Sequence, residues 1–527
     1  MILVFDNILL PPGDPESALG EALRRKFQIS YAVSPRITRK SLDARDKSRI
    51  AYRYRVECEV PDDDAQRLLG HEGVAHATQE PLPAVPRLHR PLRVIIVGSG
   101  PAGLFCGLRL LAAGAQVTIL ERGKPVEERM HDINALRSHG TLDPESNVLF
   151  GEGGAGTCSD GKLTTRTRRP EAAWIFETLV AHGAPESILY EQKPHLGTDR
   201  LVKILKSIRA GITGLGGALV FRERVIDIVT EGAVAKGVVG THGGEIKADS
   251  VVLATGHSAR DTLYMLQGKG VRMEKKGFAV GLRAEHPAEL INFIQYGKAA
   301  RAGTLPPADY QLAYNDRETG IGVYTFCMCP GGEIINSSSE DGLLCTNGMS
   351  GSARSGGYSN AAVVVAVSAE ALGADALSGV EFQREIERNA FEAGRGGYRA
   401  PAQRLTSFLE SRLDESLPRS SYNPGVTPAN LRTLFPGWIS REIEAGLKSF
   451  NARMKGYITR EALLIGAETR TSSPVRIVRG DDFQSLSHRG LYPAGEGAGY
   501  AGGIVSSAVD GVRTADAICR NCGEDLN

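Results

Sequence analysis

The chain has 527 residues, more than one ordinary domain of roughly 100–200 residues, so two or three structural units are expected. A net charge of +1 and an apolar fraction of 42% exclude a polyanion-coating protein and an extended disordered chain. The start lacks the basic region of a signal peptide, and no apolar run approaches the ~20 residues that cross a bilayer. Eight cysteines without small-domain spacing indicate reduced thiols, so we expect a cytoplasmic protein.

Residues 1–85 predict a small N-terminal α+β domain of the ferredoxin-like type. An apolar strand (Ile2 to Leu10) precedes a helical pattern (Glu16 to Phe27), and an alternating segment follows (Ile50 to Val60). Residues 86–92 close a proline-rich stretch and are predicted to be a linker, because proline stiffens and extends the chain.

Residues 93–275 predict the first part of a Rossmann-type nucleotide-binding domain. A buried strand leads into a helix through a G-x-G-x-x-G loop that contains Gly98, Gly100, Pro101, Ala102 and Gly103. In such a loop the glycines allow the turn, the close approach to a pyrophosphate and the packing of helix on strand. The next strand ends at Glu121 and Arg122, where a carboxylate can accept hydrogen bonds from a ribose diol. This context predicts a dinucleotide site.

Residues 276–460 predict an inserted α+β substrate or cap domain. Its pattern changes from mixed strands to long helices, which we place at Asn360 to Leu372, Glu381 to Phe391 and Ile439 to Asn451. Residues 461–527 are predicted to complete the Rossmann-type nucleotide-binding domain that begins at residue 93.

Several residues are candidates for catalysis. Cys327 and Cys329 stand one residue apart and either relay electrons or pack as small apolar side chains. Arg470, with Arg476, either clamps an anionic substrate or ties two domains together. His257 is a candidate proton donor or a structural histidine. No metal site is expected, because Cys519 and Cys522 lack a second ligand pair.

The carboxyl end distinguishes FAD from NAD(P). Residues 491–504 read as a short apolar strand, an acidic residue and a glycine-rich turn that opens a helix. This segment resembles the distal FAD motif of glutathione-reductase-like flavoproteins. The resemblance implies that Glu496, after Gly495, orients hydrogen bonds to the ribityl chain and pyrophosphate. It also implies that the turn at Gly502, Gly503 and Ile504 lies beside the pyrimidine edge of the flavin.

Three further segments are similar to parts of these FAD folds. The strand end Ala254-Thr255-Gly256 is typical of them, and Val225 stands where they contact adenine through the backbone. The glycine-rich loop from Phe150 resembles the one that passes the isoalloxazine ring, a flexible surface loop being the alternative. That resemblance implies cofactor contacts from Gly156, Ser159, Gly161 and Lys162, and Lys162 would stabilise an anionic reduced flavin. FAD is the predicted cofactor, and a dedicated NAD(P)H domain is not expected.

Over nearly its whole length the chain resembles a family of FAD-dependent dehydrogenases. The resemblance rests on residues 40–45, the loop at Gly151, and residues 325–332, 346–350 and 468–474, together with the distal motif. It implies hydride transfer between a small-molecule substrate and flavin N5. The substrate is expected to be anionic if Arg470 and Arg476 bind it. An external electron donor or acceptor is also implied, and NAD(P)H can serve without a dedicated domain. No membrane partner is expected.

The alternative is a flavoprotein that binds RNA or protein through its N-terminal domain. Residues 36–55 contain eight basic residues against Asp43 and Asp46. Residues 1–90, however, contain fourteen basic and thirteen acidic residues, which favours a solvated strand face over a nucleic-acid site.

Overall fold

The computed structural model describes residues 1–78, 82–88, 90–165 and 169–524. The N-terminal unit contains β1 (Ile2–Leu10), α1 (Leu19–Phe27), β2 (Arg36–Asp43), β3 (Ala51–Glu59), α2 (Asp62–Leu69) and β4 (Val74–His76). Its antiparallel sheet has the order β2-β3-β1-β4, which is a ferredoxin-like arrangement. Phe5, Leu23 and Phe27 pack in its core. The sequence predicted β1, α1 and β3 but not β2, α2 or β4. Residue 89 of the predicted linker lies outside the described residues.

The edge of this N-terminal sheet is joined to the next unit. The backbone N–H of Lys40 in β2 donates to the carbonyl of Tyr190 (2.7 Å), and the N–H of Gln192 donates to the carbonyl of Lys40 (2.8 Å). Leu42, Ala44 and Ile50 pack against the core of the unit that begins at residue 278. The N-terminal unit is therefore held by backbone pairing on one side and by apolar packing on the other.

The nucleotide-binding unit begins with alternating strands and helices. Its elements are β5 (Arg93–Val97), α3 (Pro101–Ala112), β6 (Gln116–Leu120), α4 (Val126–His139), α5 (Glu171–Ala181), α6 (Thr198–Gly214), β7 (Ala218–Val220), β8 (Val225–Glu231), β9 (Val234–Gly240), β10 (Gly244–Lys247), β11 (Ser250–Leu253), α7 (Arg260–Gly268) and β12 (Met273–Lys275). Strands β8, β9 and β10 form a separate antiparallel sheet, and β5 pairs in parallel with β6 and β11. Both faces of β5 are covered, as its buried Val-Ile-Ile-Val run requires.

A second unit of mixed structure follows. Its elements are β13 (Phe278–Pro287), α8 (Ala288–Tyr296), β14 (Ala313–Asn315), β15 (Gly322–Asn336), β16 (Thr346–Met349), β17 (Tyr358–Val367), α9 (Ser378–Ala393), β18 (Ala400–Arg404), α10 (Leu405–Leu409), β19 (Val426–Pro428), α11 (Gly437–Arg453) and β20 (Leu463–Glu468). Its sheet has the order β14-β15-β17-β13-β20-β18-β19, with β16 paired to β15. Because β20 lies inside this sheet, the inserted unit extends to Glu468. Its predicted end was residue 460.

The prediction of a helix from Asn360 to Leu372 is wrong, because most of this segment forms β17. The strand lies between β13 and β15, and its run of three valines from Val363 to Val365 is fully buried. Valine is stiff at χ1 and packs well on a pleated sheet, so tertiary burial favours the strand over helical periodicity.

The chain then returns to the nucleotide-binding unit through β21 (Val475–Ile477), β22 (Leu491–Pro493) and α12 (Ile504–Glu524). Strand β21 pairs with β12, and β22 completes a five-stranded parallel sheet of order β22-β11-β5-β6-β7. Helices α3 and α12 pack together in the main core of this unit. The fold is therefore a split Rossmann-type α/β domain with an inserted α+β domain and a ferredoxin-like N-terminal domain.

Candidate functional site

A cavity of about 930 Å³ lies where the carboxyl ends of the parallel strands face the inserted domain. It is at the sheet edge where open α/β folds bind ligands. Most of the predicted site residues line it: Gly98, Gly100, Pro101, Ala102, Glu121, Arg122, Gly156, Ser159, Gly161, Lys162, Val225, Ala254, Thr255, Gly256, His257, Cys327, Arg470, Glu496, Gly502, Gly503 and Ile504. Gly103, Gly495 and Cys329 lie behind this wall.

The glycine loop between β5 and α3 forms the floor of the cavity. Gly98 has φ +107°, and an added Cβ there would lie 2.3 Å from the carbonyl oxygen of Ala254. An added Cβ on Gly103 would lie 2.0 Å from the carbonyl oxygen of Gly98, so this glycine is needed for packing. On Gly100 the nearest protein atom would be 4.0 Å away. The backbone at Gly100 therefore borders open space at the N-terminus of α3, which favours anions.

Glu121 is a buried carboxylate that organises the loops around it. One oxygen accepts from the backbone N–H (2.9 Å) and the hydroxyl (2.7 Å) of Ser99. The other accepts from the N–H groups of Gly123 (2.9 Å) and Gly151 (3.0 Å). A carboxylate has about four acceptor positions, and all four are occupied here. Glu121 therefore ties the glycine loop to the loop at residue 151, a role that the sequence did not indicate.

The neighbouring Arg122 lies in an ion-pair cluster. Its guanidinium pairs with Glu145 (2.8 Å) and Asp261 (2.9 Å) and lies 4.1 Å from the centre of the Phe150 ring. Phe150, Arg224 and Val225 line the same end of the cavity. This end therefore offers an aromatic face and backbone polar groups near Val225.

Glu496 is a carboxylate of the opposite kind. It is half-buried on the cavity wall, and within the described parts of the chain its side-chain oxygens accept no hydrogen bond. Burial raises its pKa to about 7, although the positive charge of Lys276 opposes the rise. A carboxylate without a protein donor on a cavity wall is suited to accept hydrogen bonds from a ligand.

The glycine-rich loop carries Lys162 to the far end of the cavity. Its ammonium group donates to the carbonyl of Met328 and lies 3.2 Å from Asp160. Asp160 is buried and also pairs with Arg354 of the inserted domain. The Ser159 hydroxyl donates to the carbonyl of Gly156 and accepts from the N–H of Gly161, so it shapes its own loop. The loop is therefore ordered by contacts within it and with the inserted domain.

Arg470 does not have the substrate-clamping geometry that was one of its two predicted roles. It lines the cavity but is buried, and two of its nitrogens each lie 2.9 Å from the Glu387 carboxylate. Arg260 of α7 pairs with the same carboxylate at 2.8 Å. Of the two readings open for Arg470, a domain tie fits this geometry and a substrate clamp does not. Arg476 is exposed and does not line the cavity.

His257 lies on the wall beside this cluster. Burial, together with the positive charges of Arg470 and Arg260, lowers its pKa to about 4. Nδ1 lies 2.8 Å from the Ser258 hydroxyl. The imidazole is therefore neutral near pH 7, so a role as a cationic proton donor does not fit.

The inserted domain contributes cavity residues that sequence reasoning missed. Tyr324 and Phe326 come from β15, Gln311 from the segment before β14, and Arg453 from the end of α11. Arg453 is exposed, and in the described parts of the chain it forms no ion pair. Phe326 lies in the segment 325–332 on which the family resemblance rests, and Tyr324 stands just before it, so that segment was the one signal near them.

The basic stretch of the N-terminal domain is largely neutralised. Ion pairs join Arg36 to Glu57, Lys40 to Glu16 (2.6 Å), Arg45 and Arg53 to Asp43 (2.6 and 2.9 Å), and Arg55 to Asp6 (2.6 Å). This arrangement favours the solvated strand face over a nucleic-acid site.

The described residues contain neither a membrane-spanning helix nor a metal-binding cluster. None of their helices is long and apolar enough to cross a membrane. No three or more of their His, Cys, Asp and Glu side chains form a group that could hold a metal ion.

Two family models match the chain. The model of the "FAD-dependent protein, C-terminal domain-like" family matches residues 277–471, and that of "Pyridine nucleotide-disulphide oxidoreductase" matches residues 92–283. An "Uncharacterized protein" of Clostridium beijerinckii is 39% identical in an alignment of 535 positions that covers 98% of each chain.

The solved structures that match are more distant. CtdE in complex with FAD is 14% identical with a TM-score of 0.32, over 82% of this chain and 84% of that chain. A geranylgeranyl bacteriochlorophyll reductase-like protein from Thermoplasma acidophilum is 10% identical with a TM-score of 0.38, over 83% and 79%. The open form of a flavocytochrome c3 fumarate reductase is 12% identical with a TM-score of 0.34, over 83% and 79%.

The family models and the relative confirm the predicted family and its cofactor, FAD. The matched segments meet at the cavity, one providing the glycine loop and the other the facing wall. The chain belongs to a family of FAD-dependent oxidoreductases in which a Rossmann-type domain is joined to this C-terminal domain.

Proposed function

We propose that the protein transfers hydride between an anionic small-molecule substrate and flavin N5, with FAD held in the 930 Å³ cavity. The observation that carries the proposal is that both halves of the split nucleotide-binding domain line this one cavity. Its volume lies within the range of about 300–1,000 Å³ that is usual for ligand sites.

Three features fit the cofactor. The N-terminus of α3 opens onto the cavity beside Gly100, where the pyrophosphate would find backbone N–H groups and a favourable dipole. The carboxylate of Glu496 would accept hydrogen bonds from ribityl hydroxyls. Phe150 and the backbone at Val225 would hold the adenine end.

When bound, FAD supplies two-electron chemistry at its isoalloxazine ring. The chain's own residues shape the surroundings of that ring. Lys162 supplies a positive charge at the far end of the cavity, while Gly502, Gly503 and Ile504 bring backbone and the start of α12 to the wall.

The substrate side belongs to the inserted domain. Tyr324 and Phe326 offer aromatic faces, and Gln311 offers a hydrogen-bonding amide. Arg453 replaces Arg470 as the cation that would bind an anionic group, because Arg470 is already paired with Glu387. These residues favour a planar or apolar substrate that carries a carboxylate or phosphate.

The test is an anaerobic absorbance screen of the FAD-loaded protein against NADH, NADPH and a panel of organic acids and their neutral amides. We expect at least one acid or nicotinamide donor to bleach the flavin band, and the acid to act faster than its amide. A flavin that none of these compounds bleaches, yet dithionite reduces, would contradict the proposal.

A further inference from the structure

Cys327 and Cys329 lie on an irregular part of β15. The register between β15 and β17 shifts on both sides of Cys329, and Cys327 has φ +44°, which side chains rarely adopt. In a regular strand residues i and i+2 share a face but are held apart by the extended backbone. Here the Cys329 thiol donates to the carbonyl oxygen of Cys327 (3.4 Å), so its side chain lies against residue 327. The bulge therefore brings the two thiols together.

The two thiols differ in their access to the cavity. Cys327 is half-buried and lines the wall, whereas Cys329 is fully buried behind it. Among the described residues no other cysteine lines this cavity. This is the arrangement of an attacking thiol with a resolving thiol at its back.

Two cations surround the pair. Lys162 donates to the carbonyl of Met328, the residue between the cysteines. The guanidinium of Arg283 lies 3.3 Å from the carbonyl oxygen of Cys327. The hydrogen bond from Cys329, together with these two charges, lowers the pKa of Cys327 well below its ordinary value. A thiolate is the reactive form of cysteine, so Cys327 is the nucleophile of the pair.

We propose that Cys327 and Cys329 form a redox-active dithiol on the substrate side of the cavity, and that it takes small-molecule disulfides. In the first step the Cys327 thiolate attacks one sulfur of the substrate, forming a mixed disulfide and releasing one thiolate. In the second, Cys329 passes its proton to the thiolate released in the first step, and its sulfur attacks the sulfur of Cys327 and releases the second thiolate. Two electrons pass to the substrate disulfide, and the pair becomes oxidised.

Restoring the pair needs a two-electron donor. A low-molecular-weight dithiol can do this directly, by the reverse exchange. The flavin chemistry proposed above is the other source, and in that respect the dithiol rests on the proposed function. The exchange chemistry itself is independent of hydride transfer and is tested separately.

The test uses the full-length FAD-loaded protein in buffers of oxidised and reduced dithiothreitol. Samples are quenched with acid and alkylated with N-ethylmaleimide, and the peptide that contains both cysteines is analysed by mass spectrometry. We expect both alkylation sites to disappear together in one two-electron transition that reverses on reduction. If both cysteines are alkylated at every ratio of oxidised to reduced dithiothreitol, the proposal is overturned.

Variants separate the two roles. In Cys329→Ser we expect oxidised glutathione to leave one glutathione on Cys327, whereas Cys327→Ser should leave Cys329 unmodified. Cys58→Ser, in the core of the N-terminal domain, is the matched control and should behave as the parent chain. Lys162→Gln should slow alkylation of Cys327 by iodoacetamide at pH 6 about tenfold, as expected for a lost cationic neighbour. An unchanged rate would argue against the assigned thiolate.

The titration of the unaltered protein needs no variant, so a misfolded substitution does not remove the test. The outcomes also separate the two proposals. A reversible dithiol in a protein whose flavin no donor reduces supports the exchange chemistry and contradicts hydride transfer. A flavin that an organic acid of the screen reduces, in a protein whose two cysteines do not exchange, supports hydride transfer and contradicts the exchange chemistry.

Discussion

The two walls of the cavity are built differently. The cofactor wall consists of strand ends and glycine loops of the parallel sheet, where backbone groups and saturated carboxylates such as Glu121 leave little freedom. The facing wall comes from β15 and α11 of the inserted domain, where side chains such as Tyr324 and Arg453 do the lining. A wall made of backbone groups fixes which class of ligand can bind. In a wall made of side chains, substitutions can change which substrate is accepted.

The walls meet at the buried Glu387, and this junction gives the largest expected effect. Glu387→Gln leaves the buried Arg260 and Arg470 to share the one remaining carboxylate of Glu340, at 2.7 and 3.8 Å. We expect the free energy of unfolding to fall by about 3–5 kcal/mol, measured by urea denaturation followed by circular dichroism. Glu385→Gln, on the exposed face of the same helix, should change it by less than about 0.5 kcal/mol. Equal effects of the two variants would show that the walls do not depend on this junction.

The cofactor wall is tested at Gly100. A Cβ added at Gly100 would lie 4.0 Å from the nearest protein atom, and Gly100 lines the cavity, so the Gly100→Val side chain should fill space that the cofactor needs. We expect FAD affinity to fall at least tenfold, about 1.4 kcal/mol, while the free energy of unfolding of the FAD-free protein changes by about 1 kcal/mol or less.

Fluorescence titration of FAD measures the affinity. Gly268→Ala, at a position with no neighbour within 4 Å, is the control and should bind FAD normally. Full FAD affinity in Gly100→Val would place the cofactor away from this loop.

Glu496 tests the same wall through pH. Its pKa in the folded protein, about 7, lies above the ordinary value of 4.5, so the folded state holds the extra proton between these values. The free energy of unfolding of the FAD-free protein should therefore fall as pH rises from 4.5 to 7, and then level off.

Hydrogen bonds from a ligand favour the ionised carboxylate. FAD affinity should thus rise about tenfold between pH 6 and pH 8, with proton release on binding. Glu496→Gln should abolish this dependence, and Glu461→Gln, at an exposed site, should retain it. A pH-dependent affinity that survives in Glu496→Gln would show that another group titrates.

The inserted wall should respond in the opposite way. Arg453→Gln removes an exposed cation, so the free energy of unfolding and FAD affinity should stay within about 0.5 kcal/mol of the parent values. Only the KM for an anionic substrate is expected to rise, with kcat nearly unchanged, because the lost contact stabilises ground state and transition state alike. A loss of FAD with the substitution would place Arg453 on the cofactor side.

The cofactor wall was predictable because its requirements are local. Gly103 is fixed by the carbonyl oxygen of Gly98 in the same loop, and Gly98 by the φ of +107° that the turn itself takes, and that geometry has a sequence signature. The role of Arg470 was not predictable, since its partner Glu387 lies 83 residues away on another element. The strand β17 was missed for a related reason: burial between two neighbouring strands, rather than local pattern, decides its structure.

The backbone pairing of Lys40 with residues 190 and 192 has a consequence for how the molecule can be dissected. It covers a strand edge that would otherwise be free to pair with other chains, and Leu42 and Ile50 cover apolar surface of the inserted domain. Removing the first 85 residues takes β2 away but uncovers this apolar surface together with the backbone groups of residues 190 and 192, so a shortened chain should self-associate whatever the N-terminal domain does. Single substitutions on its exposed face, such as Arg55→Ala, leave these contacts intact and are the way to find a partner of this domain.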